Sequence, residues 1–341
     1  MRAFITAIEY HLPETVVTNS ALAAEFPDWS VDKIDEKTGI AQRHVAAAGE
    51  CASDLGVAAA RKLFASGACS PGQIDFLLFC TQSPDFFLPT TACLMQERLD
   101  IPTSAGALDF NLGCSGFVYG LGLAKGLIET GQAQTVLLIT AETYSKFMHP
   151  GDKSVRTIFG DAAAATLIQA VESAEEGIGP LVFGTDGRGG SKLIVPTGGL
   201  RRSRTEGTAE PRADEYGNLR SEDNLYMSGP DLFNFTLRVV PETVAKVLSR
   251  AGLELDDVGL FVFHQANRYM LEHLRKKLKI PSEKFCVSLR DCGNTVSSTI
   301  PIALKDAHAQ VTVRPNIPVL LVGFGVGYSW GAALIRWPKL S

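Results

Sequence analysis

The chain has 341 residues and a net charge of −5, with 45% hydrophobic and 20% charged residues. This is the make-up of a globular protein long enough for two domains or one large layered core. The charge gives no overall nucleic-acid signal, so an anionic partner needs a local basic patch. Seven cysteines, irregularly spaced and with no Cys-x-x-Cys pair, exclude a disulfide framework and argue against structural zinc. Met1-Arg2-Ala3-Phe4 opens into a strand-like run without a signal-peptide core, and no apolar stretch nears membrane-spanning length. A cytoplasmic protein with no membrane or nucleic-acid partner is expected.

Alternation predicts a strand over Phe4 to Tyr10, closed by Pro13. Asn19-Ser20 caps a short helix over 21–26, and Ser53 caps a helix over 54–65 that ends at Gly67. Ser70-Pro71 is a further helix start. Ile74 to Cys80 is fully apolar at strand length, the mark of a buried strand. A loop over 81–89 and a helix over 90–99 follow. Val136 to Thr140 is another buried strand, while Ala162 to Ile168 reads equally as helix by alanine content or strand by position. Residues 184–228 are rich in Gly and Arg and form a surface excursion. Arg201, Arg202, Arg204, Arg212 and Arg220 give it a basic stretch, placed at 195–228, suited either to solvent or to an anionic ligand.

One stretch organises the rest: Leu108-Asp109-Phe110-Asn111-Leu112-Gly113-Cys114-Ser115-Gly116-Phe117. Phe117, Leu121, Leu123, Ala124 and Leu127 continue from it at helical spacing. Gly113 suits a sharp strand-to-helix turn, and Cys114 then sits at a helix N-terminus. Free N–H groups and the helix dipole there favour a thiolate. A buried cysteine is commonly inert; partners elsewhere decide the matter.

The second half repeats the first. Strand Leu260 to Phe263 with His264-Gln265-Ala266-Asn267 echoes Phe76 to Phe79 with Cys80-Thr81-Gln82-Ser83. The turn Asp291-Cys292-Gly293-Asn294-Thr295 echoes Asn111 to Ser115, and Val319 to Val322 echoes Val136 to Ile139. The order is kept at a nearly constant offset, which points to a duplicated half-domain, 1–175 and 176–341. Strands alternating with helices imply helix-covered parallel sheets. A pseudo-twofold between the halves brings Cys114, His264 and Asn294 to one pocket. A cysteine holds an acyl group as a thioester. A neutral imidazole N–H and an amide both donate to a thioester oxygen as charge develops on it. Gly323-Phe324-Gly325-Val326-Gly327 lets backbone approach the cysteine.

These residues resemble the β-ketoacyl-acyl-carrier-protein synthase III family of the thiolase superfamily. The resemblance rests on Gly113-Cys114-Ser115-Gly116-Phe117, His264-Gln265-Ala266-Asn267, Gly293-Asn294-Thr295, Ile300-Pro301 and Gly325-Val326-Gly327-Tyr328-Ser329-Trp330-Gly331-Ala332. Lys37-Thr38-Gly39-Ile40, Arg43-His44 and Phe159-Gly160-Asp161 add to it. It implies an α/β, five-layered αβαβα fold of two duplicated halves, in a homodimer. It also implies a reaction: acyl-CoA loads Cys114, malonyl-acyl-carrier protein decarboxylates under His264 and Asn294, and a 3-ketoacyl-carrier protein and CO2 result. The backbone N–H groups of Cys114 and Val326 would hold the acyl oxyanion, with valine replacing a usual glycine. No metal or other cofactor is implied, since acyl-CoA and malonyl-carrier protein are substrates.

The departures bear on substrate. The family's adenine-stacking tryptophan and arginine correspond to Lys33 and Lys153, and lysine does not stack as guanidinium does. Lys33, Arg43, Lys153 and Asn267 are the expected CoA or phosphopantetheine region. The residue that gates the acyl tunnel from the partner corresponds to Leu88, with Phe86 and Phe87 before it, so these three are the expected acyl pocket. Arg275, Lys276 and Lys277 are the expected carrier-protein docking cluster. A paralogue with a non-acetyl primer is the preferred reading. The alternatives are a related acyltransferase serving a non-carrier acceptor and a non-catalytic subunit.

Overall fold

The computed structural model describes residues 1–310 and 316–336; the last five residues of the second half, 337–341, lie outside the described residues, as do 311–315. In the first half the elements are β1 (Arg2–His11), α1 (Val31–Thr38), α2 (Ala52–Ala65), β2 (Phe76–Cys80), α3 (Thr91–Arg98), β3 (Gly106–Phe110), α4 (Gly116–Glu129), β4 (Thr135–Glu142) and β5 (Ala162–Val171). The second half holds β6 (Ile178–Thr185), α5 (Gly229–Ala251), β7 (Leu260–Phe263), α6 (Arg268–Lys277), α7 (Thr299–Gln310), β8 (Pro318–Gly325) and β9 (Ser329–Arg336).

The first sheet runs β1-β5-β4-β2-β3, with β2 parallel to β3 and β4 and the other pairs antiparallel. The second runs β7-β8-β9-β6 with the same senses, β7 parallel to β8 and the rest antiparallel. A parallel bridge between Phe261 and Phe285 stands where β3 stands in the first sheet. The two sheets thus share their strand order and senses.

Helices α4 and α7 lie between the sheets. Phe117, Leu121 and Ile128 of α4 and Ile300 and Leu304 of α7 share one buried cluster with Leu78 and Leu138 below and Val262 and Leu321 above. Helices α2 and α3 cover the outer face of the first sheet, where Leu55 and Met95 meet Phe79 and Ile139. Helices α5 and α6 cover the second, where Val240 and Leu274 meet Phe263 and Val322. The five layers follow from this. Strand β2 is continuously apolar because both faces are covered. The alanine-rich stretch from Ala162 resolves as strand: β1 and β4 pair with it on both edges, and pairing outweighs helix propensity. Helix α2 begins two residues early, with Cys51 as N-cap, while Ser53 is buried and its Oγ donates to Asp85 Oδ2 at 2.7 Å.

Candidate active site

Cys114 lies in the turn between β3 and α4, just before the N-cap Ser115. Glycines make the turn possible. A Cβ on Gly116 would sit 2.3 Å from Cys80 Sγ, and one on Gly113 would sit 2.8 Å from Val326 Cγ1. The valine thus packs into the space that Gly113 leaves. A Cβ on Gly325 would meet Cys114 Sγ at 2.7 Å, and one on Gly323 would meet the Ser115 Cα at the same distance. Strand β8 therefore presses its backbone against the cysteine turn, as the glycine run suggested.

The thiol itself corrects one expectation. Burial pushes Cys114 up to about 12, and the N–H groups of Val326 and of Cys114, which donate toward the sulfur, offset that only in part. A helix terminus does not make a thiolate where the surroundings are apolar. At neutral pH the resting group is a thiol.

His264 follows β7 at the position that Cys80, the last residue of β2, holds in the first half. Its N–H donates to the Val322 carbonyl at 2.8 Å, and its ring meets Phe324 edge-on at 5.5 Å between centroids. Nδ1 lies 2.7 Å from Thr299 Oγ1. Burial lowers the imidazole to about 3, with the Val296 carbonyl opposing, so the ring is neutral. Asn294 follows Gly293, whose φ of 73° belongs to the left-handed region. Its Oδ1 accepts the Val296 N–H at 3.0 Å, which leaves the NH2 group as the free end.

Cys114, His264 and Asn294 line one cavity of about 340 Å³ with Phe159, Leu193, Met227, Leu232, Phe233, Tyr269, Met270, Phe324 and Gly325. A sulfur nucleophile, two neutral hydrogen-bond donors and two backbone N–H groups converge in an apolar chamber. That set can hold an acyl thioester and stabilise an enolate. Of the wall, Leu193, Met227, Leu232, Phe233, Tyr269 and Met270 were not singled out from the sequence. Neither was Thr299, whose only signal is a run of Ser and Thr after Asn294.

The peripheral candidates lie mostly outside this cavity. Of the four CoA-region residues only Asn267 lines the cavity, where it caps α6 by accepting the Met270 N–H at 2.8 Å. Arg43 is a structural residue: its guanidinium donates to the carbonyls of Val17 and Thr157 and to Asn19 Oδ1 at 2.9–3.0 Å, and burial lowers it to about 10. Lys33 Nζ donates to the Asp28 carbonyl and stands 5.3 Å from the Trp29 ring centroid, with Lys37 at 4.8 Å. Lys153 opens a one-turn helix beside the 195–228 excursion, away from the cavity lining.

Phe86, Phe87 and Leu88 are 61%, 81% and 82% exposed and do not line the cavity within the chain. Arg275 pairs with Glu272 at 2.8 Å and Lys277 donates to the Leu237 carbonyl. Lys276 alone of that cluster has no side-chain hydrogen bond or ion pair among the described residues. The 195–228 stretch is not basic overall, since its five arginines face six acidic residues. Arg220 bridges Asp152 and Asp214 at 2.9 and 2.8 Å, and Arg202 pairs with Glu222. What borders the cavity there is apolar: Leu193 and Met227, from the paired strands at its base.

The model of the 3-oxoacyl-[acyl-carrier-protein] synthase III family matches residues 108–187, and that of its C-terminal region matches 248–337. A β-ketoacyl-[acyl-carrier-protein] synthase III of Streptomyces coelicolor is 40% identical over 339 residues, 98% of this chain and 97% of that one. A crystal structure of a 3-oxoacyl-(acyl-carrier-protein) synthase III superposes with a TM-score of 0.97 at 54% identity, covering 98% of this chain and all of the other. The corresponding synthase of Burkholderia xenovorans gives 0.90 at 36% identity, covering 100% and 95%. The chain thus belongs to the β-ketoacyl-acyl-carrier-protein synthase III family of the thiolase superfamily, and it is an acyltransferase of the condensing kind.

Proposed function

We propose that this enzyme primes chain assembly by a decarboxylative Claisen condensation on Cys114. The carrying observation is the convergence of Cys114, His264 and Asn294 in one apolar cavity, with the Val326 and Cys114 N–H groups at the sulfur. The Cys114 thiol attacks an acyl-CoA thioester, the acyl oxyanion accepts both N–H groups, and the thiol proton leaves with the CoA thiolate. Malonyl-acyl-carrier protein follows. The bond to its carboxylate breaks, CO2 departs, and the electron pair enters the thioester as an enolate. His264 and Asn294 donate to that oxygen. The enolate carbon then bonds to the acyl carbon, the bond to sulfur breaks, and Cys114 leaves as a thiolate that takes up a proton from solvent. Hydrogen bonds alone carry the developing charge, so the reading needs no metal or other cofactor.

The reading includes a primer other than acetyl. Lysines at 33 and 153 do not stack on adenine as tryptophan and guanidinium do, and Leu193, Met227, Leu232 and Phe233 offer an apolar wall. It includes a homodimer in which Phe86, Phe87 and Leu88 enter the partner's acyl site, since three adjacent exposed apolar residues mark an interaction surface. Lys276 is the charge offered to the carrier protein, and seven free cysteines suit the cytoplasm. Intact-mass measurement tests the whole. A panel of acyl-CoAs and acyl-carrier proteins is offered, followed by malonyl-carrier protein. An acyl adduct absent from Cys114→Ala, then a 3-ketoacyl mass on the carrier, is expected, with the best primer longer than acetyl. An adduct that never condenses, or a clear acetyl-CoA preference, overturns the corresponding part.

A further inference from the structure

His264 has two ring nitrogens, and the mechanism uses one. Nδ1 is engaged by the Thr299 hydroxyl at 2.7 Å, so Nε2 is the nitrogen left for the cavity. Thr299, the first residue of α7, is itself buried, and its Oγ1 also lies 3.1 Å from the Val296 carbonyl. A hydroxyl has one proton and here two acceptors, and the Val296 carbonyl to which it points also draws on the imidazole ring. Given to the Val296 carbonyl, it makes Oγ1 accept from an Nδ1–H, and Nε2 faces the cavity bare. Given to Nδ1, it puts the ring proton on Nε2.

The ring is neutral, so its tautomer is the variable, and the partner of one nitrogen sets the state of the other. The shorter contact is the one to Nδ1. Asn294 already presents its NH2 group, because Oδ1 is taken by the Val296 N–H. A thioester oxygen meets two donors only if Nε2 also carries a hydrogen. We propose that Thr299 is a positioning residue whose hydroxyl donates to His264 Nδ1 and holds the imidazole as the Nε2–H tautomer that the decarboxylation step requires. The proposal rests on the condensation reading above. No proton moves through Thr299: the ring stays neutral while CO2 leaves and the enolate forms. Val296, at a φ of 55°, serves both donors, its N–H orienting Asn294 and its carbonyl competing for the Thr299 proton.

The test uses protein labelled with 15N-histidine, with Thr299→Val, Thr299→Ser and His264→Ala beside the wild type. Three readouts are needed: ring tautomer by long-range 1H–15N correlation, acyl loading of Cys114 by intact mass, and CO2 release from malonyl-carrier protein. The wild type is expected to show Nε2–H. Thr299→Val keeps the shape without the hydroxyl, so it should load normally, switch to Nδ1–H and release CO2 about tenfold more slowly, the size of one net hydrogen bond. Thr299→Ser should restore both tautomer and rate. An Nδ1–H ring in the wild type overturns the proposal without any variant. So does undiminished CO2 release in a loaded Thr299→Val protein, or a Thr299→Ser protein as slow as the valine variant. His264→Ala separates the two claims: retained CO2 release there sinks the condensation reading itself, whereas loss there with a normal Thr299→Val sinks only the role of Thr299.

Discussion

The turn at Gly113–Ser115 and the turn at Gly293–Val296 enter equivalent helices, α4 and α7, in the two halves, yet they present opposite chemistry. The first offers a sulfur under two backbone N–H groups. The second offers an amide whose oxygen is tied back by the Val296 N–H, so that only its donor end is free. One duplicated frame thus supplies an electron-rich group on one side of the cavity and an electron-poor one on the other. On the condensation proposed above, the first holds the acyl group and the second meets the malonyl thioester oxygen, and the paired turns place both in one cavity. The difference lies in which end of each side chain the neighbours occupy.

The strongest separation of the two turns comes from Asn294→Leu. CO2 release should fall by about 100- to 1,000-fold, the usual loss on removing an oxyanion donor, while acyl loading of Cys114 stays intact. If loading fell as well, the turns would not be separable. Next in size is the pH dependence of the sulfur. With the thiol near 12, its thiolate fraction grows about tenfold per pH unit. Iodoacetamide labelling of Cys114 should therefore rise about a hundredfold from pH 8 to pH 10 with no plateau; a plateau near pH 7 would mean the helix terminus outweighs burial. Gly325→Ala comes third. Its methyl group would stand 2.7 Å from Cys114 Sγ, so the sulfur must move, and loading should slow about tenfold while the ring tautomer of His264 is unchanged. Lys276→Glu is the smallest: one exposed charge should raise the KM for the carrier protein only a few-fold and leave loading from acyl-CoA unaltered.

Much of the site was legible. The reactive residues sit at strand ends or in glycine turns, and those local signals survive in a linear reading because turn geometry restricts residue choice over a few neighbours. The repeat was legible for the same reason: strand, turn and helix recur in order. The periphery was not. Arg43 reads as a surface cation beside a family motif, but its guanidinium is consumed by carbonyls of Val17 and Thr157, the latter 114 residues away. Arg220 reads as part of a basic stretch, but Asp152 and Asp214 neutralise it. A charge is free or spent only by virtue of neighbours that sequence distance hides.

Residue order alone therefore settles which groups are present and where the backbone must turn: Cys114 after Gly113, Asn294 after Gly293, His264 at the end of an apolar strand. It also settles the layered class of fold, since buried strands and amphipathic helices are local patterns. The state of those groups is another matter. The same cysteine reads as a thiolate at a helix terminus and is a thiol in the folded cavity, because desolvation depends on every layer that covers it. The same histidine gains a defined Nδ1 partner only when Thr299, 35 residues on, packs beside it. Protonation, tautomer and the wall of the cavity are sums over distant contacts, and the fold alone brings those contacts together.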